Sequence, residues 1–187
     1  MLIGVTGYLG AGKSEFSKIL VEEYGFVKLA FGNEVRAEAE RRLIKPTRNN
    51  LQNLGYIVRK EQGGDVWVRR LIEKIENGKD YVIEGIRNPE DVEALEKLEG
   101  FVLIGLNASF DVRCNRILSR KRGEDSQTKE EFVIADNKDR GKEGETEGQQ
   151  SEFCFRKVSR EILNEGSLND LKEKARELLE GLNKTFN

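Results

Sequence analysis

Gly7-Tyr8-Leu9-Gly10-Ala11-Gly12-Lys13-Ser14 matches the pattern GxxxxGKS and stands between two segments of different periodicity. Before it, Leu2 to Thr6 form a short apolar run that reads as a buried strand; after it, Lys13 to Glu23 place Phe16, Ile19 and Leu20 on one helical face. A strand, a glycine loop and a helix in this order form a phosphate cradle. The glycines let successive backbone amides and the positive end of the helix point at phosphate oxygens, where side chains would block the approach. Gly7, Gly10, Ala11 and Gly12 are the expected cradle, Lys13 reaches the β- and γ-phosphates of ATP, and Ser14 is a magnesium ligand.

Outward from this loop, strands alternate with helices. Apolar runs at Phe26 to Phe31, Tyr81 to Glu84 and Phe101 to Asn107 read as further strands, with a last one within Val158 to Leu163. Helices are expected over Asn33 to Arg42, after Pro46-Thr47, over Val66 to Glu76, from Asn88-Pro89 through Leu98, from the N-cap Ser109 to about Ser119, around Phe132 to Ala135, and over Leu168 to Leu182. This order predicts a three-layer α/β/α P-loop fold around a parallel, five-stranded sheet, with ligands bound beyond the carboxyl ends of the strands. Residues 1–187 are read as one domain, with a helical acceptor-binding insert at about 32–63 and a lid at about 119–151. Lys142 to Gln150 have almost no apolar content and read as a mobile loop. Because the lid carries few apolar residues, it is expected to open without ligand and close on bound phosphates.

Composition narrows the chemistry. Histidine is absent, which removes imidazole bases, histidine metal sites and Ser-His or Cys-His dyads. Phosphoryl transfer suits what remains, since it relies on Lys, Arg and a divalent metal to position reactants and neutralise charge. Charged residues are 35% of the chain yet balance to a net −2, so no stable nucleic-acid partner is expected. Two separated cysteines, Cys114 and Cys154, suggest neither a disulfide framework nor a thiolate metal site. No run approaches the ~20 apolar residues of a membrane span and no leader is evident, so a cytoplasmic protein is expected. Glu84, closing the third strand, is a second candidate magnesium ligand.

Three further segments bear on what the loop serves: Phe31-Gly32-Asn33-Glu34-Val35-Arg36, Glu84-Gly85-Ile86-Arg87, and Arg116-Ile-Leu-Ser-Arg120-Lys-Arg122-Gly-Glu-Asp125, with Arg140 beyond. With them almost the entire chain resembles the nucleoside monophosphate kinase superfamily, most closely the archaeal adenylate-kinase-related and dephospho-coenzyme-A-kinase-like P-loop proteins. The resemblance implies an acceptor-phosphate grip from Gly32, Asn33 and Arg36, with Asn33 where an aspartate is usual, and a second clamp from Arg87, whose segment lacks the family's proline. It implies lid arginines Arg120, Arg122 and Arg140 that act with Lys13 and Arg87 on the transferring group, and places Asn164, in Ile162-Leu-Asn-Glu-Gly166, near the adenine. The expected activity is transfer of the ATP γ-phosphoryl group to a phosphate-bearing small molecule, a nucleoside or deoxynucleoside monophosphate first. A dephospho-coenzyme A kinase is the alternative, although its acidic stretch after the second strand is missing here, and a nucleotide-switched regulatory ATPase is a third class. Asn137-Lys138-Asp139 falls one residue short of the guanine-specific NKxD spacing, which argues against a GTPase.

Overall fold

The computed structural model describes residues 1–120, 126–142 and 148–186. Its centre is a parallel sheet of β1 (Leu2–Gly7), β2 (Val27–Ala30), β3 (Tyr81–Glu84), β4 (Phe101–Asn107) and β5 (Arg160–Leu163), in the order β2-β3-β1-β4-β5. β1 lies at the middle, and every one of its residues is buried. Chain order runs from β1 to one edge and later crosses back past β1 to the other. The loops leaving β1 and β3 therefore diverge and open a crevice at the carboxyl edge of the sheet.

Alternation along the strands divides the core into two layers. Leu2, Tyr81, Ile83 and Leu103 face one side, where α2 (Phe31–Arg41), α3 (Arg48–Gln62), α4 (Val66–Ile72) and α5 (Pro89–Leu95) cover them with residues such as Trp67, Leu71 and Val92. Ile3, Val5, Val82 and Ile104 face the other, under Phe16 and Leu20 of α1 (Lys13–Tyr24) and Leu171, Ala175 and Leu179 of α9 (Leu168–Phe186). A third, smaller cluster joins α6 (Phe110–Arg120) to α7 (Lys129–Arg140) through Cys114, Ile117 and Phe132.

The expected architecture is present, with shifts at the element ends. α4 stops at Ile72 rather than Glu76 because the chain tightens there: the amides of Lys74 and Ile75 bond the carbonyls three residues back, and the Glu76 amide donates to the Tyr81 hydroxyl at 2.9 Å. α5 ends at Leu95 for the same reason, with the Leu98 amide on the Leu95 carbonyl. A short helix, α8 (Ser151–Phe155), appears where the sequence offered no periodic signal. Most of the Lys142 to Gln150 loop lies outside the described residues. Around it, the proposed lid has more anchorage than its composition suggested, since Phe132 is wholly buried and α7 carries buried Asp136 and Asp139 on the same face.

Phe16→Ala, at a wholly buried position between α1 and the sheet, is expected to lower stability by about 3–5 kcal/mol. Urea unfolding followed both by circular dichroism and by the fluorescence of Trp67, the single tryptophan and a member of the opposite layer, should give coincident transitions shifted to lower denaturant. Separated transitions would mean that the two layers unfold independently.

Candidate active site

The loop leaves β1 at Gly7, which pairs in register with Leu106 of β4. Gly7 has φ +137°, and a Cβ here would collide with the Leu106 carbonyl. Gly12, at φ +101°, caps the start of α1, and a side chain there would run into the amide of Asn164. Both glycines are therefore demanded by close approach as well as by backbone conformation.

Lys13 folds back over the loop, its Nζ donating to the carbonyls of Gly7 at 2.6 Å and Tyr8 at 2.8 Å. Burial is the main cause of a fall in its pKa to about 8; the neighbouring charges of Arg87 and Arg113 push the same way, while Asp139 and Asp136 oppose them. An ammonium held this way, short of anionic partners, suits an incoming phosphate. Ser14 stands exposed on the first turn of α1.

Arg113 organises the wall beside the loop. Only 2% exposed, it donates through Nε to the Ala108 carbonyl at 3.1 Å and through a terminal nitrogen to the loop carbonyl of Leu9 at 2.9 Å. Its two terminal nitrogens also grip both oxygens of Asp136, at 2.5 and 3.1 Å. One guanidinium thus joins β4, the phosphate loop and α7. The sequence reading passed over it, although the signal was there: Arg113 lies four residues before Ile117, on the buried stripe of α6, where a lone arginine needs a paired anion.

Asp136 also accepts from Arg140 Nε at 3.1 Å, and Arg140 reaches Glu152 of α8 at 3.0 Å while its guanidinium lies 4.2 Å from the centre of the Tyr8 ring. Phe155 stacks on the same ring at 4.8 Å. Three residues on, Asp139 accepts the Ser151 hydroxyl at 2.8 Å and lies 3.1 Å from Arg87, whose own carbonyl accepts from the Gln150 amide. Burial works against the Asp139 charge, yet Arg87, Lys13 and the Ser151 hydroxyl outweigh it and hold the carboxyl below the ordinary carboxylate range. Its Oδ1 nevertheless receives no aligned hydrogen bond. Phe132, Asp136 and Asp139 recur at helical spacing, so α7 turns one apolar and two acidic groups toward the body.

The other residues singled out in the sequence divide into two groups. Lys13, Arg87 and Arg140 belong to this charged cluster. Asn164 is buried with its amide nitrogen committed to the Ala11 carbonyl at 2.9 Å, so it ties the β5 turn to the phosphate loop. Arg116 likewise donates to the carbonyls of Asn164 and Gly166. Arg120 ends α6, and Arg122 lies outside the described residues. Gly32, Asn33 and Arg36 sit exposed in the first turns of α2, and Arg36 has no ion-pair partner among the described residues. Glu84 pairs through one oxygen with Lys28 at 2.6 Å; the other is buried without a hydrogen bond, on the α1 side of the sheet. A carboxylate oxygen and the Ser14 hydroxyl are each a hard donor of the kind magnesium takes, alongside phosphate and water. Among the described residues no cluster of three or more acidic, cysteine or histidine ligands would hold a metal without phosphate.

Between α3 and α7 lies a cleft of about 250 Å³, whose border includes Arg48, Asn49, Gln52, Glu131, Lys138 and Asp139. Arg48 and Lys138 enter no ion pair among the described residues. The cleft reaches Asp139, which pairs with Arg87 of the cluster around Lys13.

Residues 6–133 match the family model described as the AAA domain. The UPF0200 protein of Thermoplasma volcanium is 37% identical over 139 residues, which span 74% of this chain and 77% of that one. Among solved structures, TT1252 from Thermus thermophilus superposes with a TM-score of 0.63 at 20% identity, covering 97% of each chain. Shikimate kinase from Bacteroides thetaiotaomicron does so with 0.59 at 17% identity, covering 96% of this chain and 98% of its own. With a P-loop kinase fold, a family model spanning residues 6–133 and this relative, the chain belongs to the UPF0200 family of AAA-domain proteins.

Proposed function

We propose that this protein transfers the γ-phosphoryl group of ATP to a phosphate-bearing small molecule. The observation that carries the reading is Lys13, drawn onto the carbonyls of its own glycine loop with Arg87 and Arg113 close enough to depress its pKa. Such a concentration of cations at a backbone cradle serves an anion whose charge moves during reaction. The loop amides and Lys13 would hold the β- and γ-phosphates, and Ser14 with Glu84 would hold magnesium, which when bound supplies charge neutralisation between those phosphates.

The acceptor lies on this reading in the cleft between α3 and α7, across Asp139 from Lys13, with Arg48 and Lys138 on its border; these two and the exposed Arg36 of α2 have no ion-pair partner among the described residues. Nucleoside and deoxynucleoside monophosphates are the first acceptors to consider and dephospho-coenzyme A the next, since each brings a phosphate for those cations. α7 acts as the lid: the Asp136 and Asp139 pairs hold it over the loop, and competition from phosphates for Arg87 and Lys13 loosens or re-forms that hold. Among the described residues no helix is long and apolar enough to cross a membrane, and the substrates proposed are soluble.

The deciding measurement is ADP production from magnesium-ATP with and without a panel of phosphate-bearing acceptors. Strong acceptor dependence supports the kinase; acceptor-independent hydrolysis would replace it with a nucleotide-switched ATPase.

Nucleotide affinity should depend on pH in one direction. Free Lys13 loses its proton above about 8, whereas in the complex a phosphate partner raises its pKa toward or beyond the ordinary lysine value of 10.5. Binding therefore takes up close to one proton at about pH 9 and almost none at about pH 7, and affinity weakens by up to tenfold per pH unit above 8. Calorimetry in buffers of different ionisation enthalpy reads this directly, and Lys13→Ala, which should retain its fold and lose turnover, should also lose the proton uptake.

Arg36→Ala and Arg87→Ala should each weaken acceptor binding by about one to two decades, from loss of a charge-assisted contact of roughly 1.5–3 kcal/mol. ATP affinity should stay near wild type in Arg36→Ala, whereas Arg87→Ala, whose guanidinium also turns to the triphosphate, should lose less ATP affinity than acceptor affinity. Arg36→Ala should leave stability within about 0.5 kcal/mol, since the side chain is exposed. Arg87→Ala should lower the melting temperature as well, because it removes the ion-pair partner of buried Asp139. Equal loss of ATP and acceptor binding in both variants would contradict this division of the site.

A further inference from the structure

Asp139 is out of place for an enzyme that phosphorylates a phosphate. It is 2% exposed, borders the acceptor cleft, and its charge is felt by Lys13. An accepting phosphate would arrive there nearly dianionic and needs no base to become a nucleophile. A carboxylate beside it would repel that charge. A hydroxyl makes the opposite demand, since it must lose a proton as its oxygen meets phosphorus, and a carboxylate is the group that accepts it. Asp139 Oδ1 is free of aligned hydrogen bonds, while Oδ2 is held by Ser151. One oxygen positions the group, and the other, buried 3.1 Å from Arg87, is left without a partner once Arg87 turns to bound phosphate.

From this geometry we infer that Asp139 is the catalytic base of a transfer to a hydroxyl group, and that the cleft takes a phosphate-bearing molecule whose anion pairs with Arg48 and Lys138 while its hydroxyl meets Asp139. The inference rests on the proposed ATP-dependent transfer to a phosphate-bearing acceptor and fixes which of the acceptor's oxygens receives the group. In the step, the hydroxyl O–H bond breaks and its proton passes to Oδ1 of Asp139. The new O–P bond forms as the bond from Pγ to the bridging oxygen breaks, and that electron pair leaves on ADP. Asp139 returns its proton to water after the products depart. Bound ATP also readies the base: Arg87 and Lys13, which hold Asp139 as a stable anion in the free protein, turn to the phosphates, and the carboxylate left behind has greater proton affinity.

The test uses the full chain with magnesium-ATP and acceptors in pairs, nucleoside 5′-monophosphates beside their 2′,3′-dideoxy counterparts, together with dephospho-coenzyme A and sugar phosphates. Phosphorus NMR of the product is expected to show a new phosphomonoester and no diphosphate linkage, with transfer confined to acceptors that carry a free hydroxyl. Asp139→Asn should lower kcat by about 10²- to 10⁴-fold while ATP affinity changes only a few-fold. If that variant does not fold, Asp139→Glu keeps the charge but displaces the carboxylate. A base then loses at least about tenfold in kcat, whereas a merely electrostatic partner keeps its rate. A diphosphate product overturns the inference and leaves the kinase reading standing; a monoester formed at full rate by the Asp139 variants overturns the assignment of the base. Release of inorganic phosphate alone, with no acceptor modified, would remove the kinase reading and this inference with it.

Discussion

The buried pair of Arg113 and Asp136 is the contact on which the shape of the site depends. A guanidinium 2% exposed is tolerable only if its donors are met, and here they are met by the Ala108 carbonyl, the Leu9 carbonyl and both oxygens of one carboxylate. Each partner belongs to a different element. The desolvated cation therefore fixes the phosphate loop against the end of β4 and draws α7 down upon both. Removing either member would leave the other charge buried and unpaired, at about 3–5 kcal/mol, and would release the loop and the lid together.

What the sequence disclosed follows from how local each signal is. The glycine loop is read from eight consecutive residues because its chemistry is mostly backbone, and the strand and helix beside it announce themselves by period. Trp67, Phe16 and Leu171 lie on apolar faces that alternation and helical spacing make visible. The partners of the charged groups are another matter. Arg113 and Asp136 are 23 residues apart, and Asp139 reaches Arg87 from a separate element. In a chain with 35% charged residues, any arginine has many candidate partners. The buried face of α7, Phe132-Asp136-Asp139, was open to the same periodic reading as α1, but two acidic residues on it mimic a solvated surface until the opposing arginines are known.

Asn164 shows a second kind of limit. The resemblance of its turn puts it near the adenine, whereas its amide nitrogen is committed to the Ala11 carbonyl of the phosphate loop, because the chain entering α1 leaves a carbonyl in need of a donor. Proximity to a nucleotide site and contact with the nucleotide are different properties, and only the hydrogen-bond ledger of the loop separates them.

The same accounting links the lid to the chemistry. In the free protein Asp139, Arg87 and Lys13 satisfy one another in part, and Lys13 turns to its own loop for the remainder. On the proposed function, each of these contacts is an exchangeable stand-in for a phosphate contact. A triphosphate that takes over Lys13 and Arg87 removes the attraction that kept Asp139 anionic and held α7 by that contact, while the Arg113–Asp136 pair, which offers no exposed donor to phosphate, persists as the hinge side of the helix. On the proposed function, nucleotide binding frees one end of the acidic face and leaves the other fixed. On the inference drawn from Asp139, the carboxylate is then turned from a structural counter-ion into a proton acceptor at the moment the γ-phosphate stands beside it.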